Sequence, residues 1–492
     1  MLESFSPQSS AEKLIFCMLT EHLNYSTANA ATCLASAILT PGDPKTRRQA
    51  LARPDREQWL DAERTEIHNM EKKNVWSVVD RADIGDKTPI RHTWVYKLKK
   101  AASADVPPRY RARLVARGDL LEFEETEDNY SPTANFEMVR LLLALAAGND
   151  LRIATHDIAA AYLNAELDAD QVYYLEPPEI LNLPNHQVLQ LHRALYGLRV
   201  SAKKWYEKLS STLRVIGFIA IGHDEILFLY RSPSFHIAAT IYVDDIILWY
   251  SNQQAQDFFV DNLSKFFEFS HNEDLGFFLG AELHQDIERG FITMSQEHFL
   301  ASIAKRFEVP QKRTTTILPE SYIKLFSEED TIVTDRRQHK LYQSAIGSLL
   351  YLQACSRPDI SFAVSLLSRR SRAPRIKDCF ALNHLMQFCY TTKSIHLRWD
   401  RRGTPHGKQF LHNSLLAASD ASWGECKSTR KSQTGLLLLL NGSLVSYSSK
   451  LQKSVSLSST ESELQACSNA VQLIIVFRQL LKELGFAQPT PT

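Results

Sequence analysis

The sequence predicts an α+β chain built in at least two units, and three observations carry that expectation. At 492 residues it exceeds what one hydrophobic core ordinarily organises. β-rich runs with hairpin signals stand beside amphipathic helical stretches, most clearly at Tyr242-Val243-Asp244-Asp245, which lies between the apolar runs Ile237–Ile241 and Ile246–Trp249. After Asp400-Arg401-Arg402-Gly403 the composition changes, and a small α/β unit begins around the turn dipeptide Asn441-Gly442.

Taken in order, residues 1–48 mix Ser, Thr and Ala without a sustained period and are expected to form a weakly structured leader. Glu57–Lys73 spaces Trp59, Ala62, Ile67 and Met70 as a surface helix. Trp94–Leu98 and Tyr110–Val115 flank Pro107-Pro108 and predict a two-stranded unit with cationic outward positions. Glu137–Ala147 reads as an apolar helix. Arg152–Ile158 reads as a strand ending near Asp157, and Ala159–Leu163 as the start of a helix. Ser201–Ile216 is amphipathic, and Ile226–Tyr230 is a strand leading into the hairpin. Leu341–Ala354, Pro358–Arg370 and Phe380–Cys389 read as helices, the second opened by Arg357-Pro358-Asp359 with proline in its first turn. Downstream, Leu415–Asp420, Gly435–Leu440 and Ser443–Ser448 are strands, and a helix runs from Thr460 toward Leu484. This last unit is expected to be separate from the first.

Lys plus Arg and Asp plus Glu both number 56, yet the charge is segregated. Arg91–Arg117 is basic, residues 119–137 turn acidic through Glu122, Glu124, Glu125, Glu127 and Asp128, and Arg193–Arg214 is basic again. Segregation of this kind favours a cationic groove, with a solvated surface as the plainer reading of any single run. The seven cysteines form no CxxC pair and no Cys/His cluster, which points to a reduced, intracellular protein without structural zinc. No apolar stretch reaches the roughly 18 residues needed to span a bilayer, and no membrane or secretory destination is expected.

Two adjacent carboxylates at a hairpin tip repel each other, and a divalent cation is the natural compensation. Nucleotidyl transfer needs such cations, roughly 4 Å apart, more than it needs covalent help. Asp157 also sits near a strand end; if its strand neighbours the hairpin, Asp157 and Asp244 converge. Tyr162 would then lie beside a nucleotide sugar or, on the alternative reading, in the core.

Six ordered stretches carry a resemblance. They are Arg111-Ala112-Arg113-Leu114-Val115-Ala116-Arg117-Gly118, Asp157–Leu163, Leu195-Tyr196-Gly197-Leu198-Arg199, Tyr242–Asp245, Phe278-Leu279-Gly280, and Gly347–Leu352 followed by Arg357-Pro358-Asp359-Ile360. Together they resemble the reverse transcriptase of copia-type LTR retrotransposons over roughly Ala50–Leu484. The resemblance implies a right-hand polymerase with fingers and palm over 49–290, a mainly helical thumb or connection over 291–403, and an incomplete RNase H-like α/β unit over 404–492.

It further implies catalysis by Asp157, Asp244 and Asp245 with the Ile158 backbone as an added metal ligand, Asp245 being the weakest of the three acids. Two Mg²⁺ ions, with Mn²⁺ as an alternative, would be the cofactors. Lys97, Arg111, Arg113, Tyr162 and Gly197 would bind the dNTP, and Arg199, Lys203 and Lys204 the template or primer. The implied partners are an RNA template, a DNA primer and their hybrid, in a cytoplasmic particle or the nucleus.

Ser419-Asp420-Ala421-Ser422-Trp423, Arg430-Lys431-Ser432 and Leu457–Leu464 resemble the RNase H that follows in these elements, with Asp420 and either Glu463 or Glu461 as metal ligands. Further acids of that family do not appear before Thr492, so RNase H cleavage is expected to be absent. Val200 and Ala202 stand where the family usually has Gln and Pro, and Asp274-Leu275-Gly276 lies unusually close to Phe278-Leu279-Gly280. These departures support an alternative, an inactive nucleic-acid-binding remnant of a polyprotein.

Overall fold

The computed structural model describes residues 43–99, 108–121, 129–132, 134–222, 224–272, 276–310, 313–319, 322, 331–401, 413–426 and 428–492. Leader residues 1–42, Pro107, the acids at 122, 124, 125, 127 and 128, Asp274-Leu275 and Arg402-Gly403 lie outside the described residues.

The first described helix is α1 (Arg47–Leu51), where the Gln49 N–H donates to Thr46 Oγ1 at 3.2 Å. The expected end of the leader at 48 therefore falls inside a capped helix, and the boundary moves upstream. Helix α2 (Arg56–Lys72) buries Trp59, Glu63, Ile67 and Met70, one stripe at helical spacing. Strand β1 (Trp76–Asp80) follows, then the hairpin of β2 (His92–Lys99) and β3 (Arg109–Ala116), paired so that Lys97 faces Arg111 and Val95 faces Arg113.

Helix α3 (Phe136–Gly148) is buried along most of its length, and Asn135 caps it by accepting the Met138 N–H at 2.8 Å. Strand β4 (Arg152–Ile158) ends in a single 3₁₀ turn, Ala161–Asn164, instead of the expected helix; Ala160 adopts φ 50°, which an α-helix cannot continue through. Strands β5 (Tyr173–Leu175) and β6 (Gln187–Leu191) join β1 in a sheet ordered β1-β6-β5. Helix α4 (Ser201–Ile216) stops at Gly217, φ 108°.

The central sheet is completed by β7 (Ile219–Ile221), β8 (Leu227–Arg231), β9 (His236–Tyr242), β10 (Asp245–Tyr250), helix α5 (Gln253–Leu263) and β11 (Phe269–Asn272), in the order β11-β4-β10-β9-β8-β7. Both its faces are covered. Ile246 and Leu248 enter a core with α2, α4 and α5, while Ile247 and Trp249 enter a second core with α3. This is why β10 is apolar at successive residues instead of alternating.

The short strand β12 (Phe277–Phe278) turns into β13 (Ala281–Asp286) and β14 (Phe291–Ser295). A helical layer with its own core follows: α6 (Glu297–Arg306), α7 (Arg336–Cys355), α8 (Ser361–Ser368) and α9 (Ile376–Thr391). Strand β15 (Leu397–Asp400) then returns to pair with β14, so the four-stranded sheet β12-β13-β14-β15 crosses the expected division at 290. The last unit has β16 (Leu415–Ser422), β17 (Gln433–Leu440), β18 (Ser443–Leu451) and α10 (Ser459–Glu483). Asn441 and Gly442 make its hairpin turn with φ of 54° and 73°, as a two-residue turn with both residues left-handed requires.

The last unit does not stand apart as expected. Leu438, Leu440, Val445, Phe477 and Leu481 lie in the same core as α3, Trp249 and Trp399. Arg140 of α3, 2% exposed, donates to Val445 O at 2.7 Å, Ala354 O at 2.8 Å and Cys355 O at 3.0 Å, and its guanidinium lies 4.7 Å from the centre of the Tyr447 ring. One cation thus satisfies the C-terminal carbonyls of α7 and a carbonyl of β18. By length and composition, α10 is apolar enough to cross a membrane. In the fold it lays Ser462, Ala466, Ala470, Phe477 and Leu481 in the interior.

Replacing Arg140 with Met leaves those carbonyls buried without donors. Chemical denaturation should show a loss of about 3 kcal/mol or more; an unchanged midpoint would remove Arg140 from its tying role.

Candidate catalytic site

The site is assembled by strand pairing. Asp245, first residue of β10, faces Tyr242 on β9 and Asp157 on β4, and Asp157 faces Ser270 on β11. The hairpin loop is therefore only Val243 and Asp244; Asp245 belongs to the strand and not to the tip. Directly opposed residues on antiparallel strands project from the same face, so the Asp157 and Asp245 carboxylates share one side of the sheet. Asp157 is exposed, and Asp244 and Asp245 are half-buried.

The turn is held from two directions. The Ile158 N–H donates to Asp244 O at 2.9 Å, joining the end of β4 to the hairpin tip, and Trp205 Nε1 of α4 donates to Val243 O. Val243 has φ 56°, an unfavourable conformation for a β-branched residue. Strain of this kind persists only where the surroundings over-determine it. Among the described residues no group of three or more Asp, Glu, His or Cys side chains forms a ready metal cage. A pair of opposed carboxylates is nonetheless the oxygen donor set that Mg²⁺ takes, completing its shell with water and substrate phosphate.

The β2–β3 hairpin brings cations toward these acids. Lys97, Arg111 and Arg113 are half-buried, and Arg113 lies 4.8 Å above the Tyr196 ring. Burial, with Arg113 alongside, pulls the Arg111 guanidinium below its ordinary value, against the opposing fields of Tyr196, Glu66 and Asp157. Burial pushes the Tyr196 hydroxyl up to about 12, Arg113 opposing and Glu66 and Asp244 reinforcing. The strand acids and the hairpin's arginines are therefore in electrostatic reach of one another.

Glu66 of α2 completes this cluster. Burial raises its carboxyl to about 7, against the pull of Arg113, Arg111 and the Leu114 N–H, and its Oε1 is shielded from solvent with no hydrogen-bond partner among the described residues. Reading the sequence as a surface helix missed Glu66. Its signal was its position one turn from both Glu63 and Met70, on the edge of the buried stripe.

Other expected site residues are placed as follows. Tyr162 is 2% exposed, its ring edge-on to Tyr196 at 5.2 Å, so it lies in the core beneath the cluster. Gly197, φ 92°, approaches protein backbone: a Cβ there would collide with Ala116 O, and the Ala116 N–H donates to Tyr196 O at 2.7 Å. Gly118 packs reciprocally on the Gly197 carbonyl. Arg199 donates to Leu121 O at 2.7 Å. Lys204 is held by Asp168 at 2.5 Å and Glu207 at 2.9 Å, and Lys203 is half-buried beside it.

The turn between β12 and β13 reaches the same region. Leu279 and Gly280 have φ of 50° and 70°, and Tyr351 of α7 donates its hydroxyl to Leu279 O. Any Cβ at Gly280 would meet that hydroxyl. Phe278 contacts Tyr242 with ring centroids 6.4 Å apart, which links this turn to the strand that precedes Asp244.

In the last unit, Asp420 faces Gly435, and Gln452 donates both to Thr434 Oγ1 at 3.0 Å and to Ser462 O at 2.9 Å. These bonds bring the start of α10 to the Asp420 end of the sheet. Ser458 caps α10 by accepting the Glu461 N–H at 3.1 Å, and Glu461 accepts the Leu457 N–H at 2.7 Å. Glu461 is committed to the helix end, whereas Glu463 is exposed.

Residues 73–320 match the family model described as reverse transcriptase (RNA-dependent DNA polymerase). The chain is 31% identical over 474 residues to the retrovirus-related Pol polyprotein from transposon RE1 of Arabidopsis thaliana, covering 94% of this chain and 30% of that protein. It is 27% identical over 459 residues to the corresponding polyprotein from transposon TNT 1-94 of Nicotiana tabacum, covering 91% and 33%. The chain thus spans about a third of the length of these curated relatives. A solved foamy viral protease-reverse transcriptase in complex with double-stranded DNA aligns over 85% of this chain and 60% of that one, at 12% identity and a TM-score of 0.41.

Glu66 also predicts a pH response. Its folded carboxyl titrates near 7 against an ordinary value of 4.5, so between those values the folded state holds a proton that the unfolded state has lost. Stability contributed this way is complete below pH 4.5 and lost as pH rises through 7. Denaturation of wild type and Glu66→Gln at pH 5 and pH 8 should show a smaller pH difference in the variant; equal differences would remove Glu66 as the source.

Proposed function

Since the chain belongs to the reverse transcriptase (RNA-dependent DNA polymerase) family, we propose that it is the polymerase portion of a copia-type retrotransposon Pol polyprotein and extends a DNA primer on an RNA template. The observation that carries this reading is the β4–β10 register, which opposes Asp157 and Asp245 and pins Asp244 at the adjoining turn through Ile158. Opposed like charges destabilise a strand pair unless a cation compensates. The donor set suits two Mg²⁺ ions held by Asp157, Asp244 and Asp245, with Mn²⁺ as an alternative. When bound, such ions lower the barrier to nucleotidyl transfer by activating the primer 3′-oxygen and neutralising the leaving pyrophosphate.

The protein's own contribution is positional. Arg111 and Arg113, with Lys97 across the hairpin, give the incoming triphosphate a cationic wall opposite the acids. Arg113 is held by the Tyr196 face, so its guanidinium keeps one orientation before substrate arrives. Gly197 and Gly118 let the Tyr196 segment and β3 lie close enough for this. Tyr162 acts on the sugar through Tyr196 and the 3₁₀ turn that carries it, not as an exposed wall. Lys203 and Arg199 remain candidates for template or primer phosphates, with Lys204 requiring release from Asp168 and Glu207 first. In the RNase H-like unit Asp420 and Glu463 supply two carboxylates while Glu461 serves the cap, and we expect no specific cleavage of the RNA strand.

Primer extension on an RNA template should proceed with wild type and fall to background with Asp244→Asn or Asp157→Asn. Equal incorporation by the variants would exclude this site, and salt-sensitive hybrid binding without extension by wild type would favour a noncatalytic remnant. On an RNA–DNA hybrid, the RNA should stay intact; cleavage that disappears in Asp420→Asn would overturn that expectation.

A further inference from the structure

On the face of the central sheet that packs against α3, one row of paired residues crosses three strands: Leu229 on β8 faces Ala238 on β9, and Ala238 faces Trp249 on β10. Opposed residues of antiparallel strands project from the same face, so the small Ala238 stands between two large neighbours. The space beside it is not filled. Leu142 and Leu145 of α3, with Leu484 and Phe486 at the end of α10, complete the walls of a cavity of about 360 Å³ over this row. That volume falls within the range of about 300–1,000 Å³ usual for small-molecule sites. Trp249 is 1% exposed, and its Nε1–H has no hydrogen-bond partner among the described residues. A buried donor left unpaired costs stability that a bound acceptor would restore.

The next row on the same face is polar. Arg231 faces His236, and the His236 N–H donates to Ser251 Oγ at 3.1 Å. Arg231 and His236 line the cavity and are exposed, which places them at its mouth. Burial, with the Arg231 charge alongside, lowers the His236 ring below its ordinary value, so Arg231 carries the positive charge here. Among the described residues no acid lines the cavity. Arg231 Nη2 donates to Glu483 O at 3.2 Å, while the Glu483 carboxylate accepts the Gly222 N–H at 2.8 Å and Gln479 Nε2 at 2.7 Å. Gly485, φ 88°, lets the chain pass close to this guanidinium, since a Cβ there would stand 2.8 Å from Arg231 Nη2.

We propose that the cavity binds a small amphiphilic carboxylate, its apolar body against Leu142, Leu145 and Leu229 and its headgroup between Arg231 and the Trp249 indole N–H. The two rows are about 6.6 Å apart at about 3.3 Å per residue, a gap that an arginine side chain spans. The volume equals that of about twelve waters at about 30 Å³ each, which suits a medium-chain acid such as decanoate. Along β10, Trp249 lies about 13 Å from Asp245, so the site is separate from the paired carboxylates.

The test is calorimetric titration of the full chain with decanoate and, as the uncharged control, decanol, both below their aggregation limits. Wild type should bind one decanoate saturably and decanol at least tenfold more weakly. Arg231→Gln should lose about tenfold or more in decanoate affinity and none in decanol affinity, and Arg231→Lys should regain most of the loss. Ala238→Leu, which fills the cavity, should abolish binding of both. Melting curves without ligand report whether each variant folds; because Arg231 is exposed, the Arg231 variants decide the matter if Ala238→Leu does not fold. Decanoate should also raise the wild-type melting temperature in proportion to its measured affinity. No saturable binding by wild type, equal affinity for decanoate and decanol, or undiminished decanoate binding by Arg231→Gln or by folded Ala238→Leu would overturn the site. Binding is read without nucleic acid, so each outcome is independent of the polymerase reading.

Discussion

Everything at the candidate site follows from the antiparallel pairing of β4 between β10 and β11. That register puts Asp157 opposite Asp245 and makes Val243-Asp244 a two-residue turn. A slip of one residue would send Asp157 to the opposite face, where Ala154 and Ile158 are buried. The slip is blocked because both faces of β10 are committed, Ile246 and Leu248 to one core and Ile247 and Trp249 to the other. Apolar burial on two sides therefore holds two carboxylates where their own repulsion would separate them.

A second constraint lies behind the sheet. Arg140 could not stay buried with its charge unless carbonyls surrounded it, and those carbonyls come from α7 and β18. Helix α3, the end of α7 and the β16–β18 sheet are consequently parts of one packed body with a shared core. The same α7 reaches the Leu279 turn through Tyr351, near its C-terminal end. Displacement of the helical layer would thus be felt beside Asp244, through contiguous packed groups with no flexible linker between them.

Most secondary structure was legible in the sequence because local signals were strong. Ser201–Ile216 carries an amphipathic period that the structure realises over the same residues, and Asn441-Gly442 marks its turn by chemistry. The start of the fold was misplaced because Thr46 caps a helix too short to show a period. A helix was expected at Ala159–Leu163 from small-residue composition, which cannot reveal that Ala160 is left-handed. Glu66 was hidden for a similar reason: an acid on a helix reads as solvated until a hairpin closes over it.

By itself the sequence determined most of the longer strands and helices, that acids cluster at a hairpin, and that the motifs run in the order of a reverse transcriptase. These are consequences of local periodicity, turn chemistry and residue identity, all carried within a few positions of chain. Only the tertiary structure decided that Asp245 is a strand residue facing Asp157, that Gly197 serves close approach to β3, and that Lys204 is already ion-paired. It alone decided that the last unit shares a core with α3 and the central sheet. Each of these depends on groups brought together from distant parts of the chain, and pairing partners, burial and the fields between charges exist only once the elements have packed.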